Sequence, residues 1–134
     1  MEFGTKIWLL MEGRSALGAG RVELLKMIDR EGSIAGAAKK LDMSFRRAWN
    51  AVERAEEGLG VKLLERRKGG AGGGRSNLTP FARDLVARFD RLRLDTGEFA
   101  ARRFDTLFGQ ERSAGESVGG GRPEGGAGRT GRGP

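Results

Sequence analysis

The 134 residues contain no cysteine, no histidine and no tyrosine. Disulfides, thiolate and imidazole metal ligands, and the commonest general acid-base side chain are excluded together. No acidic cluster accompanies an apolar pocket-forming stretch, so a carboxylate pair for catalysis is missing too, and an enzyme is not expected. The lack of cysteine agrees with a reducing compartment. The N-terminal apolar stretch, Ile7 to Met11, is too short for a signal-peptide core and far below the ~20 residues of a membrane span. A cytoplasmic protein without a membrane partner is therefore expected.

Positive charge is what the chain has in excess. Lysine and arginine outnumber aspartate and glutamate 25 to 18, and the pI is near 10.7, which favours a polyanionic partner. By length this is one domain, with about a hundred residues left for a core once a glycine-rich tail is set aside.

Lys6 to Met11 is a short apolar run between Gly4 and Gly13 and suits a strand able to pair with a later hairpin. Arg21 to Arg30 carries Val22, Leu24, Leu25, Met27 and Ile28 at helical spacing and is closed by Gly32, which predicts a first helix. Ser33 has capping chemistry for a second, short helix whose Ala35, Gly36, Ala37 and Ala38 let another helix backbone approach closely. Leu41 closes it, and Asp42-Met43-Ser44 forms a tight turn.

From Ser44 a third helix is predicted, SFRRAWNAVERAEEGLG. Phe45, Ala48, Trp49 and Val52 fall on one face of it, and Arg46, Arg47, Asn50 and Arg54 fall outside that face. Trp49, at helical spacing with other hydrophobes, is expected in the core. Charge is sorted along the axis against the helix macrodipole, with arginines in the first turns and Glu53, Glu56 and Glu57 at the end. Something other than helix stability placed them there. A helix entering the major groove of duplex DNA by its N-terminus explains it, since arginine and asparagine then meet base edges and phosphates while the glutamates point away.

Val61 to Glu65 reads as a strand, Arg66-Arg67-Lys68 follows, five glycines lie between Gly69 and Gly74, and Arg75 to Leu78 returns. Lys62, Arg66, Arg67, Lys68 and Arg75 against Glu65 give this hairpin a net charge of +4, at a place where glycine lets the backbone come close to phosphates. The glycines superficially resemble a nucleotide-binding phosphate loop. That motif needs lysine where Arg75 stands and must join a strand directly to a helix, and here the next helix starts only with Thr79 as cap and Pro80 in its first turn.

From Pro80 to about Phe108 a long helix is predicted, with a seam of Ala82, Leu85, Phe89, Leu92, Thr96 and Phe99 suited to pairing with a second subunit. Gly97 weakens it by ~1 kcal/mol relative to alanine and marks a potential bend. Residues 109–134 hold ten glycines and four arginines and are expected to be disordered. The expected organisation is thus a DNA-binding domain over 1–78, a dimerisation helix over 79–108 and a Gly/Arg-rich tail over 109–134. The fold class is mainly α with a small β-hairpin: a winged helix-turn-helix.

Gly32-Ser33-Ile34, MSFRRAWNAVERAEE and LLERRKGGAGGGRSNLTPFARDLV resemble the N-terminal domain of the ModE family. ModE-type proteins are bacterial molybdenum-responsive transcription regulators whose winged helix-turn-helix domains dimerise on DNA. The more distant LysR regulators share the AAKKLDMS and LGVKLLER elements. The resemblance covers roughly Val22 to Leu94. It implies a homodimer on double-stranded DNA, with Ser44, Arg46, Arg47, Asn50 and Arg54 on the recognition helix and Lys62, Arg66, Arg67, Lys68 and Arg75 on the wing. Full-length members continue into oxyanion-binding domains, whereas this sequence ends in glycine and arginine. No molybdate ligand and no cofactor are assigned, and the expectation is a stand-alone regulator. One alternative stays open: a protein-interaction module that uses the same fold to bind a partner regulator without reading DNA.

Overall fold

A computed structural model describes the backbone of residues 1–67 and 74–117, and the side chains of those up to 109. Strands β1 (Trp8–Met11) and β2 (Arg14–Gly18) form an antiparallel hairpin. Glu12 and Gly13, at φ 51° and 77°, make the two-residue turn whose twist suits paired strands. The N-terminal strand therefore pairs with its immediate successor in sequence and not with the later hairpin. The expected partner was wrong because a local turn closes far more easily than a distant one.

Helix α1 (Ala19–Glu31) buries Val22, Leu24, Leu25 and Ile28 and ends at Gly32, whose φ of 76° and N–H to the Ile28 carbonyl make a left-handed cap. Helix α2 (Ile34–Lys40) begins where the Ser33 hydroxyl accepts the Gly36 N–H at 2.9 Å. A Cβ on Gly36 would stand 2.8 Å from that same oxygen, so a larger residue there would have to shift the capping hydroxyl. Asp42 turns the chain at φ 54°. Helix α3 (Phe45–Leu59) starts with the Ser44 hydroxyl accepting the Arg47 N–H at 3.1 Å and stops at Gly60, φ 71°. Near its end Gly58 lies against β2, where an added Cβ would approach Ala16 to 3.3 Å.

Strands β3 (Leu64–Arg67) and β4 (Arg75–Leu78) form the second antiparallel pair, in register from Leu64↔Leu78 to Arg67↔Arg75. The pairing begins at Leu64, later than the predicted Val61. The preceding backbone is committed elsewhere: the Leu63 N–H donates to Glu56 Oε2 at 2.8 Å, and the Leu63 carbonyl accepts from Thr79. Glu56 is buried and holds the start of the hairpin to α3, so this glutamate does not point away as predicted. Two further bonds fix the hairpin to α1. The Ser76 N–H donates to Gly32 O, and the Leu78 N–H to Asp29 Oδ1.

Helix α4 (Pro80–Ser117) is capped by Thr79, whose hydroxyl accepts the Ala82 N–H at 3.1 Å. Ala82, Leu85, Val86 and Phe89 join the core. Arg83 forks onto Asp29 of α1 at 2.8 and 2.9 Å, and Lys26 pairs with Asp90. The helix then leaves the body of the domain. It passes Gly97 without a break and runs nine residues beyond the predicted end at Phe108. Beyond Phe89 it exposes Leu92 (45%) and, in its distal half, Phe99 (60%) and Leu107 (62%). The predicted seam is thus divided: Ala82, Leu85 and Phe89 serve this chain's own core, and Leu92 and Phe99 do not. The N-terminal residues lie along that distal half, where Phe3 stacks on Phe104 at 4.8 Å and Phe104 on Phe108 at 5.4 Å.

Candidate nucleic-acid interface

The core takes Ala48, Val52, Ala55 and Glu56 from α3, which fixes how the remaining residues are presented. At 100° per residue, Arg46 and Asn50 point outward between Trp49 on one flank and Arg54 and Arg47 on the other. Ser44, Arg46, Arg47, Asn50 and Arg54 are all exposed. A groove of about 800 Å³ gathers them beside the first turn of α1 and the Asp42-Met43 turn.

A second groove, of about 660 Å³, lies on the opposite flank, where Phe45 and Trp49 meet Arg66, Arg67 and Arg75 of the hairpin and Ser33 of α2. The cations of the helix and those of the hairpin therefore border the same opening turns of α3. Phe45 is 53% exposed, whereas Trp49, expected in the core, is half-buried and packs against its edge. Their ring centroids are 6.1 Å apart, and the Arg66 guanidinium sits 4.0 Å from the centre of the Trp49 ring. Arg66 also lies 3.8 Å from Glu56.

Not every predicted residue joins this surface. Lys62 is exposed next to Glu53, Glu56 and Glu57 at the far end of α3, with its amine 4.0 Å from Glu56. Lys68 and the glycine-rich tip lie outside the described residues. Phe45 was missed as a surface residue; the one available signal was its place at the head of a helix whose neighbours are arginines.

Two features of this surface act against stability. The first turn of α3 carries arginine and no acid, opposing the helix dipole. Arg67 and Arg75 sit directly opposite each other across the strand pair, a like-charge arrangement that weakens a sheet. Among the described residues, no group of three or more histidine, cysteine, aspartate and glutamate side chains is placed to hold a metal ion. Among the same residues, no helix is long and apolar enough to cross a membrane.

Two short helices crossing through small residues, followed by a helix-packed hairpin, define a winged helix-turn-helix domain. Residues 20–83, just under half of the chain, match the family described as bacterial regulatory helix-turn-helix protein, LysR family. The chain is also similar to ModE proteins. It is 37% identical over 81 residues to the molybdenum transport protein ModE of Azotobacter vinelandii, covering 60% of this chain and 30% of that protein. It is 36% identical over 107 residues to the transcriptional regulator ModE of Yersinia pestis, covering 80% and 39%. The chain thus spans about a third of the length of these relatives. Two solved structures share the fold, each with a TM-score of 0.51. A BenM_DBD/catB site 1 DNA complex is 21% identical, with 68% of this chain and 92% of that one covered. A CbnR_DBD–DNA complex is 24% identical, with 66% and 95% covered.

Proposed function

We propose that the chain is a sequence-specific DNA-binding transcriptional regulator of ModE and LysR-like type, working as a homodimer on a pseudo-palindromic operator in molybdenum-linked gene control. In this reading α3 enters the major groove by its N-terminus. Arg46, Arg47 and Asn50 meet base edges, Ser44 and Arg54 meet flanking phosphates, and Arg66, Arg67, Lys68 and Arg75 hold the backbone beside them. Lys62 lies apart from these groups, exposed at the acidic end of α3.

The observation that carries the reading is the convergence of two destabilising charge placements on one surface, the dipole-opposing arginines of α3 and the facing pair Arg67 and Arg75. Polyanion binding is the simplest return for both. Support for the dimer comes from α4, whose Leu92, Leu94, Phe99 and Leu107 remain exposed among the described residues. Relatives that are transcriptional regulators, and neighbours of the same fold solved on DNA, support the same conclusion. The molybdenum link follows the name of the Azotobacter vinelandii relative.

Selecting bound duplexes from a random pool tests the proposal. A two-fold symmetric site is expected, its halves separated by about one helical turn or a multiple of it, with log affinity falling steeply against log salt. Equal binding to selected and random duplexes would remove sequence reading. An absence of duplex binding even at low salt would favour a module that binds a partner regulator.

A further inference from the structure

We infer that Phe45 is a specificity-determining residue that reads the C5-methyl group of a pyrimidine in the major groove, with Trp49 as its positioning residue. The inference rests on the DNA-binding reading above and adds an apolar contact to a surface so far described only by its charges.

Phe45 is the first residue of α3 and is 53% exposed, while the neighbouring Ala48 and Val52 are fully buried. It does not belong to the core. A phenyl ring in that position costs helix propensity and leaves apolar surface in water. The ring is nevertheless held. It lies 6.1 Å from Trp49, Trp49 is covered on its face by Arg66 at 4.0 Å, and Arg66 reaches Glu56 at 3.8 Å. A line of contacts thus runs from the buried end of α3, through the hairpin, back to the exposed aromatic at the helix tip.

The surroundings indicate what would cover that ring. Arg46 and Arg47 follow it in sequence, and Arg66, Arg67 and Arg75 line the groove that it shares with Trp49. An apolar protein segment seated there would have to desolvate these guanidinium groups without pairing them. A DNA duplex pairs them with phosphates and also offers one kind of apolar group in its major groove, the methyl on C5 of thymine. 5-Methylcytosine carries the same group at the same position of its ring. An aromatic side chain at the leading end of an inserted helix, ringed by phosphate-binding cations, matches that combination.

The test uses the full chain and its selected duplex, with each thymine replaced in turn by deoxyuridine, which removes the methyl and nothing else. One thymine in each half-site is expected to lose about three- to fivefold in affinity for the unmodified protein, the scale of one buried methyl. Phe45→Ala is expected to bind the intact site more weakly by a similar factor and to be indifferent to deoxyuridine at that position. In a duplex with cytosine at that position, adding the C5-methyl should raise affinity for the unmodified protein alone if the methyl itself is read, and no gain would mean that thymine is the methyl source. That arm decides between the two methyl sources. Arg47→Ala should weaken binding while keeping the methyl sensitivity. Circular dichroism and urea midpoints establish that both variants fold. Equal deoxyuridine penalties for Phe45→Ala and the unmodified protein, with duplex binding otherwise intact, would overturn the role of Phe45 and leave the regulator reading standing. Loss of sequence preference in every arm would overturn both.

Discussion

The Arg66 guanidinium lies 4.0 Å from the centre of the Trp49 ring, joining strand β3 to the flank of helix α3. A double-mutant cycle with Trp49→Leu and Arg66→Gln should give a coupling of about 0.5–1 kcal/mol, the scale of an exposed cation–π pair. Urea unfolding measures it. Additive single effects would show that the two groups are neighbours without being partners.

Arg67 and Arg75 give the opposite expectation, a residue that harms the free protein. Replacing Arg75 by threonine removes the cross-strand repulsion and should raise stability by about 0.2–1 kcal/mol. The same change should weaken all duplexes alike and reduce the salt slope by about one. Calorimetry and salt-dependent binding on one protein sample reveal both halves, and a variant that gains no stability would remove the argument that function placed these arginines.

Along α4 the consequence of a substitution depends on its distance from the core. Phe89 is buried and Phe99 is exposed, so Phe89→Ala should cost about 3–5 kcal/mol of folding stability. Phe99→Ser should cost the fold within about 0.5 kcal/mol but shift sedimentation from dimer to monomer. A Phe99→Ser protein that still sediments as a dimer would place the subunit contact elsewhere.

Lys26 offers a pH-dependent readout. Its hydrogen bond to Asp90 is the main cause that raises the lysine pKa above its ordinary 10.5, with the charges of Asp90 and Glu23 adding to it. A raised folded-state value stabilises fully below the unfolded pKa and ceases to do so as pH climbs through the folded one. Between about pH 10 and about pH 12 the unmodified protein should therefore lose more stability than Lys26→Met. Urea midpoints at the two pH values provide the comparison, and parallel losses would mean that the α1–α4 ion pair contributes nothing measurable.

The helix starts were visible in the sequence because their caps are local: Ser33, Ser44 and Thr79 each accept an N–H from three residues ahead. The order of helices and the wing strands followed from spacing and from Gly32 and Gly60, both at positive φ. The β1–β2 pairing was hidden because its turn is Glu12-Gly13, and glutamate at positive φ is not a recognised turn signal. Trp49 was misplaced for a different reason. Its stripe with Phe45 and Val52 is periodic, yet the packed face centres on Ala48, Val52 and Ala55, two of them alanines that add little to an apolar pattern. Glu56 and Arg66 owe their positions to contacts across the fold, which spacing along the chain does not encode. The candidate residues of α3 share one groove because helical spacing groups them, whereas the place of Lys62 beside Glu53, Glu56 and Glu57 depends on how the chain folds back after Gly60.

The stack of Phe3 on Phe104 brings the start of the polypeptide about 22 Å along α4 past Phe89, at 1.5 Å per residue. Anything fused to Met1 is thus tethered two residues from this stack, on the distal part of α4. If the chain pairs through α4 as proposed, a purification handle at that end should weaken association before it affects DNA binding, and a fluorophore there should report on association.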